Sequence, residues 1–243
     1  MKYMYEVVIP TYDRVDILGK KTLKFLKEQN IPKERITLFV ANEEELKKYS
    51  ERYTDYKIIK GVKGLANQLN FIYDKYPKGT FILRCDDDIR DICDCEGKSI
   101  KLSEIMKRTN DIFKQEKIRY GGFYPVFNKM FMKQSAGIKR DLRHIVGVCN
   151  FFINSEFRHS ESVGGKEDYE KTLYHYVNDG KLLRWNDYGI KTTYYSKKGG
   201  LANQRTDENE KEEALMLKDK YPEYVTLYEK KGRTQIRLRK GMN

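Results

Sequence analysis

TFILRCDDDIRD, residues 80–91, is the stretch around which the chain is organised. Phe81, Ile82 and Leu83 read as a buried strand that runs directly into three carboxylates, Asp86, Asp87 and Asp88. Like charges this close repel, and a partly buried carboxylate must be paired, protonated or bound to metal. A hard divalent cation, Mg²⁺ or Mn²⁺, resolves the conflict, because it prefers carboxylate oxygens and keeps room for phosphate. The competing reading is a solvated acidic turn with no ion.

Upstream, strands and helices alternate. Residues 4–9 form a first strand ended by Pro10, and the loop Thr11-Tyr12-Asp13-Arg14 leads into a helix over about residues 17–29. Leu18, Phe25 and Leu26 are its core candidates. Residues 36–40 are a second strand. Asn42 then caps a helix whose first turn holds Glu43, Glu44 and Glu45. Residues 56–59 are a short third strand, and Gly64 opens a helix with Leu65, Leu69, Ile72 and Tyr76 on one face. Three strand–helix units followed by a strand predict an α/β fold, a mostly parallel sheet flanked by helices. Ligands of such sheets lie beyond the carboxyl ends of the strands. That selects the loops at residues 10–14, 41–43, 61–67 and 86–91.

Downstream, residues 102–113 are a further helix and 119–126 a strand and turn. Residues 127–144 carry Lys129, Lys133, Lys139, Arg140 and Arg143 against one acid, Asp141, interleaved with Phe127, Phe131 and Met132. Residues 145–153 read as one strong strand. Gly164-Gly165 precedes Lys166-Glu167-Asp168 and a helix through Val177. Residues 182–185 and 190–195 read as two late strands. A Gly-rich loop ends at Gln204-Arg205. A charged helix over 208–221 precedes a hairpin, 225–230 and 235–238, that adds Arg237 and Arg239 to the basic residues.

The 243 residues suffice for one domain with a sizeable core. With 35% charged residues and a net charge of +12, the chain is polar and basic, which suits nucleic acid or phosphorylated ligands. Lys-rich coding in an AT-rich genome accounts for the same excess. No apolar run approaches the roughly 20 residues that cross a bilayer, and the first ten residues do not resemble a signal peptide. Cys85, Cys93, Cys95 and Cys149 form no disulfide framework, and Cys93-Asp94-Cys95 lacks the second ligand pair of a zinc site. Reduced thiols and a cytoplasmic location are the expectation.

Four segments taken in order, VVIPTYDR, GLANQLNFI, FILRCDDDI and GGKEDYEKTLYHYVNDG, resemble the GT-A glycosyltransferases of the family 2-like branch. Within that branch, PTYDR followed by KTLKFLKEQNI, LFVANEEELKKY, and GGLANQR before YPEY are most similar to the TET-associated glycosyltransferases of phages, which modify DNA bases. The resemblance implies one GT-A-like domain over residues 1–243, with a C-terminal β-hairpin extension. Residues 1–100 would bind the nucleotide sugar, 101–205 the acceptor, and 206–243 would form a C-terminal helix and basic hairpin. It further implies a UDP-sugar donor, expected to be UDP-glucose, with Asp86 and Asp88 holding Mn²⁺ or Mg²⁺ against the diphosphate. Pro10, Thr11, Tyr12, Arg14, Asn42, Gly64, Asn67, Asn70, Asp86, Asp87, Gln204 and Arg205 would line the donor pocket. Asp168 would be the catalytic base, with Glu167 beside it. The acceptor would be the hydroxyl of a 5-hydroxymethylpyrimidine in DNA, 5-hydroxymethylcytosine or 5-hydroxymethyluracil. Lys129, Lys133, Lys139, Arg140, Arg143, Arg237 and Arg239 would then contact DNA phosphates.

The sequence departs from the family at Ala41-Asn42-Glu43, where uracil-reading Asp residues often stand. No late His falls in a metal-site motif; His144, His159 and His175 read as helical or surface residues. Transfer to a glycan, lipid or protein acceptor, nucleotidyl transfer, and binding without catalysis remain alternatives. Glu167-Asp168 alone also reads as ordinary charge pairing at a helix N-terminus.

Overall fold

The computed structural model describes residues 5–192 and 206–239. Strand β1 (Glu6–Pro10) is followed by α1 (Val15–Leu18) and α2 (Lys24–Glu28), joined by a π-helical turn at Gly19–Leu23. The next units are β2 (Ile36–Val40), α3 (Glu43–Arg52), β3 (Lys57–Lys60), α4 (Leu65–Lys75) and β4 (Phe81–Cys85). Then come β5 (Asp91–Asp94), α5 (Leu102–Glu116), β6 (Tyr120–Tyr124), α6 (Lys129–Gln134), β7 (Ile138–Lys139) and β8 (Cys149–Ile153). Helix α7 (Glu167–Asp179), β9 (Leu183–Lys191), α8 (Asp207–Lys220) and the hairpin β10 (Val225–Lys230) and β11 (Arg233–Leu238) complete the order.

The main sheet runs β3-β2-β1-β4-β8-β6-β9-β5, with β7 on β9. Strands β1, β2, β3, β4, β6 and β9 point one way; β5, β7 and β8 run against them. The expected mostly parallel sheet flanked by helices is therefore present, and β10–β11 form a separate antiparallel pair. The chain leaves β1 toward β2 and β3 on one side, then returns to place β4 on the other. The switch point between β1 and β4 is where such sheets open a crevice.

Helices cover both faces, so the central strands are buried on both sides and read as continuous apolar runs. In β1, Val7 and Ile9 join the core on one face with Leu18, Phe25 and Leu26, while Val8 joins Leu69, Ile72 and Leu173 on the other. The π-helical turn has a local cause. The Tyr53 hydroxyl donates to the Val15 carbonyl and occupies the space beside Gly19, where a Cβ would lie 2.6 Å from it. Inserted groups of this kind commonly accompany π turns.

Helix α8 and the hairpin pack on the second core face through Ala214, Leu217, Val225 and Ile236. Glu213 of α8 accepts from the backbone N–H groups of Gly164 and Gly165 at 3.0 and 2.9 Å, just ahead of α7.

Three expectations need correction. The strand expected over 145–153 begins only at Cys149, because Gly147 turns its N–H away from the ladder to Asp168. The two strands expected over 182–185 and 190–195 are, among the described residues, one continuous strand, β9, and residues 193–195 lie outside the described residues. Its polar middle is tolerated because Asn186 accepts from Arg184 Nε at 2.7 Å and donates to the Ser135 carbonyl at 2.8 Å. The end of the acidic loop, Asp91, starts β5, which pairs antiparallel with β9.

Candidate active site at the switch point

The carboxyl ends of β1 and β4 meet through Asp87, the middle acid. Thr11 Oγ1 donates to Asp87 Oδ2 at 2.8 Å, and Arg14 Nη1 donates to Asp87 Oδ1 at 3.0 Å. Asp87 is buried, and burial raises its pKa against the pull of Arg14 and Thr11. Its geometry is that of a brace between the two loops. Thr11 is itself fixed, its N–H on the Phe39 carbonyl and its hydroxyl 2.8 Å from that of Tyr49.

Asp86 and Asp88 flank the brace. Thr22, delivered by the π-helical turn, donates its hydroxyl to the Asp86 carbonyl at 2.7 Å and accepts from Ile89 N–H at 2.9 Å. The acidic loop is thus pinned at both ends by one buried side chain. Asp86 Oδ1 accepts from Arg84 Nη2 at 3.0 Å. Asp88 Oδ1 accepts from Thr192 Oγ1 at 2.7 Å, and its Oδ2 lies 3.6 Å from Arg14. Asp86 is the most open of the three, with 33% of its side chain exposed. Burial pushes its carboxyl up to about 7, with Asp88 and Asp87 adding to the effect and Arg84 opposing it.

These residues fit a hard divalent cation. Among the described residues Asp86 Oδ2 has no partner, while Asp88 Oδ2 is paired with Arg14 at 3.6 Å and would share that oxygen with a cation. Among the described residues no group of three or more His, Cys, Asp or Glu side chains is arranged to hold a metal. Asp86 and Asp88 would therefore give two oxygens, the remaining positions falling to phosphate and water, as is usual for Mg²⁺.

Arg84 connects the acidic loop to the start of α7. It is buried in the middle of an otherwise apolar strand, 3.0 Å from Asp86 and 3.7 Å from Glu167 Oε1. Burial, then the neighbouring Asp168, raises the Glu167 pKa. Asp168 moves the other way. Burial opposes its charge, but His144 and the N–H groups of Gly147 and Tyr169 hold it well below the usual carboxylate range. His144 Nε2 lies 3.0 Å from Asp168 Oδ2, and its ring stacks on Tyr169 with centroids 3.9 Å apart and planes 9° apart. Gly147 sits between the two groups: a Cβ there would lie 2.9 Å from Glu167 Oε1 and 3.3 Å from Arg84 Nη1.

The other candidate donor residues scatter more widely. Pro10 ends β1, and Tyr12 is 38% exposed on the first loop. Asn42 caps α3 by accepting from Glu45 N–H. Gly64, at φ +92°, supplies the left-handed turn before α4, and Asn67 is exposed in that helix's first turn. Asn70 is spent elsewhere: both ends of its amide bond the backbone of His159. Gln204 and Arg205, with Lys198, lie outside the described residues.

The basic segment is largely paired with its own neighbours. Lys133 meets Glu96 at 3.0 Å, Arg143 meets Asp141 at 2.7 Å, and Arg140 makes a two-armed contact with Glu116. Lys129 is exposed and Lys139 half-buried. In the hairpin, Arg237 stacks on Tyr228 and Arg239 donates to Thr226. His159 and His175 are core residues rather than surface ones, held to about 4 by burial. The residues that sequence reasoning missed are Thr22, Arg84, His144 and Thr192. Arg84 alone left a signal, a charge inside FILRC.

No family model matches the chain, and no curated protein matches it. Among solved structures that match is CMP:2-keto-3-deoxy-manno-octonic acid synthetase complexed with CTP, at 11% identity and a TM-score of 0.46, covering 89% of this chain and 100% of that one. No helix among the described residues is long and apolar enough to cross a membrane.

Proposed function

We propose that this chain is one domain that transfers a sugar from a nucleotide sugar to a hydroxyl acceptor, with UDP-glucose as donor and a 5-hydroxymethylpyrimidine of DNA as acceptor. One observation carries the reading. Two carboxylates, Asp86 with an open oxygen and Asp88 with its Oδ2 3.6 Å from Arg14, stand at the switch point, and Arg84 links Asp86 to Glu167, which neighbours Asp168 and His144, a group suited to handling a proton. Glycosyl transfer needs both: a place for the leaving diphosphate and a group that takes the acceptor's proton. Asp86 and Asp88 would hold Mn²⁺ or Mg²⁺, which would supply electrostatic stabilisation of the departing charge. Tyr12 on the first loop offers an exposed ring to the base, and displacement in one step inverts the anomeric centre.

Nucleotidyl transfer to a sugar is the second reading, since Asp86 and Asp88 suit a metal–triphosphate equally. Against it, Arg14, the cation of the first loop, is held by Asp87 and Asp88. The test is a donor screen with Mn²⁺ or Mg²⁺, nucleotide sugars, and DNA containing 5-hydroxymethyluracil or 5-hydroxymethylcytosine, read by mass spectrometry of the digested nucleosides. A hexose added to the modified nucleoside supports the full reading. Metal-dependent hydrolysis of a nucleotide sugar without DNA transfer keeps glycosyl transfer and discards the DNA acceptor. Pyrophosphate release from a nucleoside triphosphate and a sugar, with no nucleotide-sugar turnover, replaces the proposal by the second reading.

A further inference from the structure

We infer that His144 is the base that receives the acceptor's proton, and that Asp168 is the residue that orients it. The inference rests on the glycosyl-transfer reading and concerns the same site. Two N–H donors already hold the Asp168 carboxylate, Gly147 at 3.1 Å on Oδ2 and Tyr169 at 2.8 Å on Oδ1, and His144 Nε2 lies 3.0 Å from Oδ2. A carboxylate so occupied has little capacity for a further proton; its low pKa agrees. It is well placed instead to hold an imidazole.

His144 has the complementary features. Nε2 is buried against Asp168, and a carboxylate can only accept, so Nε2 carries the ring proton and Nδ1 keeps its lone pair. Nδ1 has no partner among the described residues, and 25% of the side chain is exposed. The Nε2–H points off the straight line to Oδ2, so the two groups meet as a close charge contact at 3.0 Å, and catalytic hydrogen bonds of this kind often tighten only when substrate binds. Tyr169 stacks face to face on the ring and fixes its plane.

Other elements supply the surrounding charges. Glu167 lies on α7 beside Asp168. Arg84 approaches Gly147 from β4, and Arg184 of β9 donates to the His144 carbonyl at 3.1 Å. Asp141 and Arg143 pair with each other on the segment just before His144. In the reaction the acceptor oxygen bonds to the anomeric carbon while the bond from that carbon to the diphosphate oxygen breaks. The diphosphate leaves with the electron pair, and the acceptor's proton passes to His144 Nδ1. The imidazolium so formed is stabilised by Asp168, the division of labour seen when an Asp supports a catalytic His.

Two measurements on the full chain test this. The first is ¹⁵N NMR of the histidine rings, which needs no substrate. Wild type should show His144 protonated on Nε2 at neutral pH, and Asp168→Asn should shift the ring toward the other tautomer. The second is the turnover of UDP-glucose with Mn²⁺ in wild type, His144→Gln and Asp168→Asn, with circular dichroism confirming that each is folded and calorimetry measuring UDP-glucose binding. His144→Gln should lose about 10²–10⁴-fold in turnover with donor binding kept. Its residual rate should lose the acid limb of the wild-type pH profile. Donor bound and turned over equally by wild type and His144→Gln, or a ring proton on Nδ1, overturns the assignment while leaving the glycosyl-transfer reading intact. A wild type that neither binds nor turns over UDP-glucose overturns both.

Discussion

Asp86→Asn should make the protein more stable while removing its response to Mn²⁺. Asp86 sits beside two other carboxylates at the end of a buried strand, and its carboxyl is pushed up from 3.8 to about 7. A group raised on folding stabilises below its unfolded pKa and loses that contribution as pH rises through the folded value. The native state therefore loses stability between about pH 4 and pH 7 on account of this residue. For a fully buried group that displacement corresponds to ~4 kcal/mol. A third of the Asp86 side chain meets solvent, and screening reduces the figure to about 1–2 kcal/mol. Asparagine keeps an oxygen for Arg84 and has no proton to lose. The variant should gain about 1–2 kcal/mol over wild type at pH 8 and roughly a third of that at pH 5. Urea titrations at both pH values, with and without MnCl₂, measure this, provided m is unchanged. Mn²⁺ should stabilise wild type by mass action and leave the variant unmoved. An Asn variant less stable than wild type at pH 8, or a difference that does not change between pH 5 and pH 8, refutes the electrostatic account of the cluster.

Two further perturbations probe the supports of the site. Glu170 is fully buried. Burial opposes its charge, but His159, Ser160 and Lys220 hold its carboxyl at about 2. Its stabilising contribution is present above about pH 4.5 and is lost as pH falls toward 2, so Glu170→Gln should cost ~3 kcal/mol at pH 7 and less than half of that at pH 3 by chemical denaturation. Thr22→Val keeps the shape but strands the Asp86 carbonyl and the Ile89 N–H, at about 1–3 kcal/mol for each buried group; a thermal melt should show that loss together with a weakened Mn²⁺ response, and a loss under about 1 kcal/mol would show that the loop is held by other means.

The first half of the fold was legible because its elements carry single, uninterrupted signals. Strands β1 and β2 are mainly apolar runs and β4 is one broken by Arg84, Asn42 caps α3 as its sequence suggests, and Gly64 supplies a positive-φ turn that other residues resist. The second half was harder because long-range partners decide its local structure. The run Ile145-Val146-Gly147-Val148 has strand composition, yet Gly147 bonds Asp168, 21 residues later. Asn186 and Asp187 look like a break between strands until Ser135 and the N–H of Gly137 satisfy them. The acidic loop of the candidate site could be read directly, since its three acids are adjacent in sequence. Its supports could not: His144, Thr22 and Thr192 reach it only through tertiary structure, and nothing in their neighbourhoods marks them. Asn70 shows the reverse error, a polar residue in a suggestive position whose amide is consumed by the backbone of His159.

The tether from Glu213 to Gly164 and Gly165 has a consequence for the order in which the molecule matures. Those two N–H groups precede the helix that carries Asp168, and their acceptor lies about 50 residues further along the chain. During synthesis the strands around the switch point emerge and can pair well before α8 exists. The approach to α7 meanwhile lacks its acceptor, and Glu170 lacks Lys220. A nascent chain would thus hold a formed switch-point crevice beside an unfinished start to α7. The approach to α7 would be completed with α8, as a late assembly step after the sheet has closed.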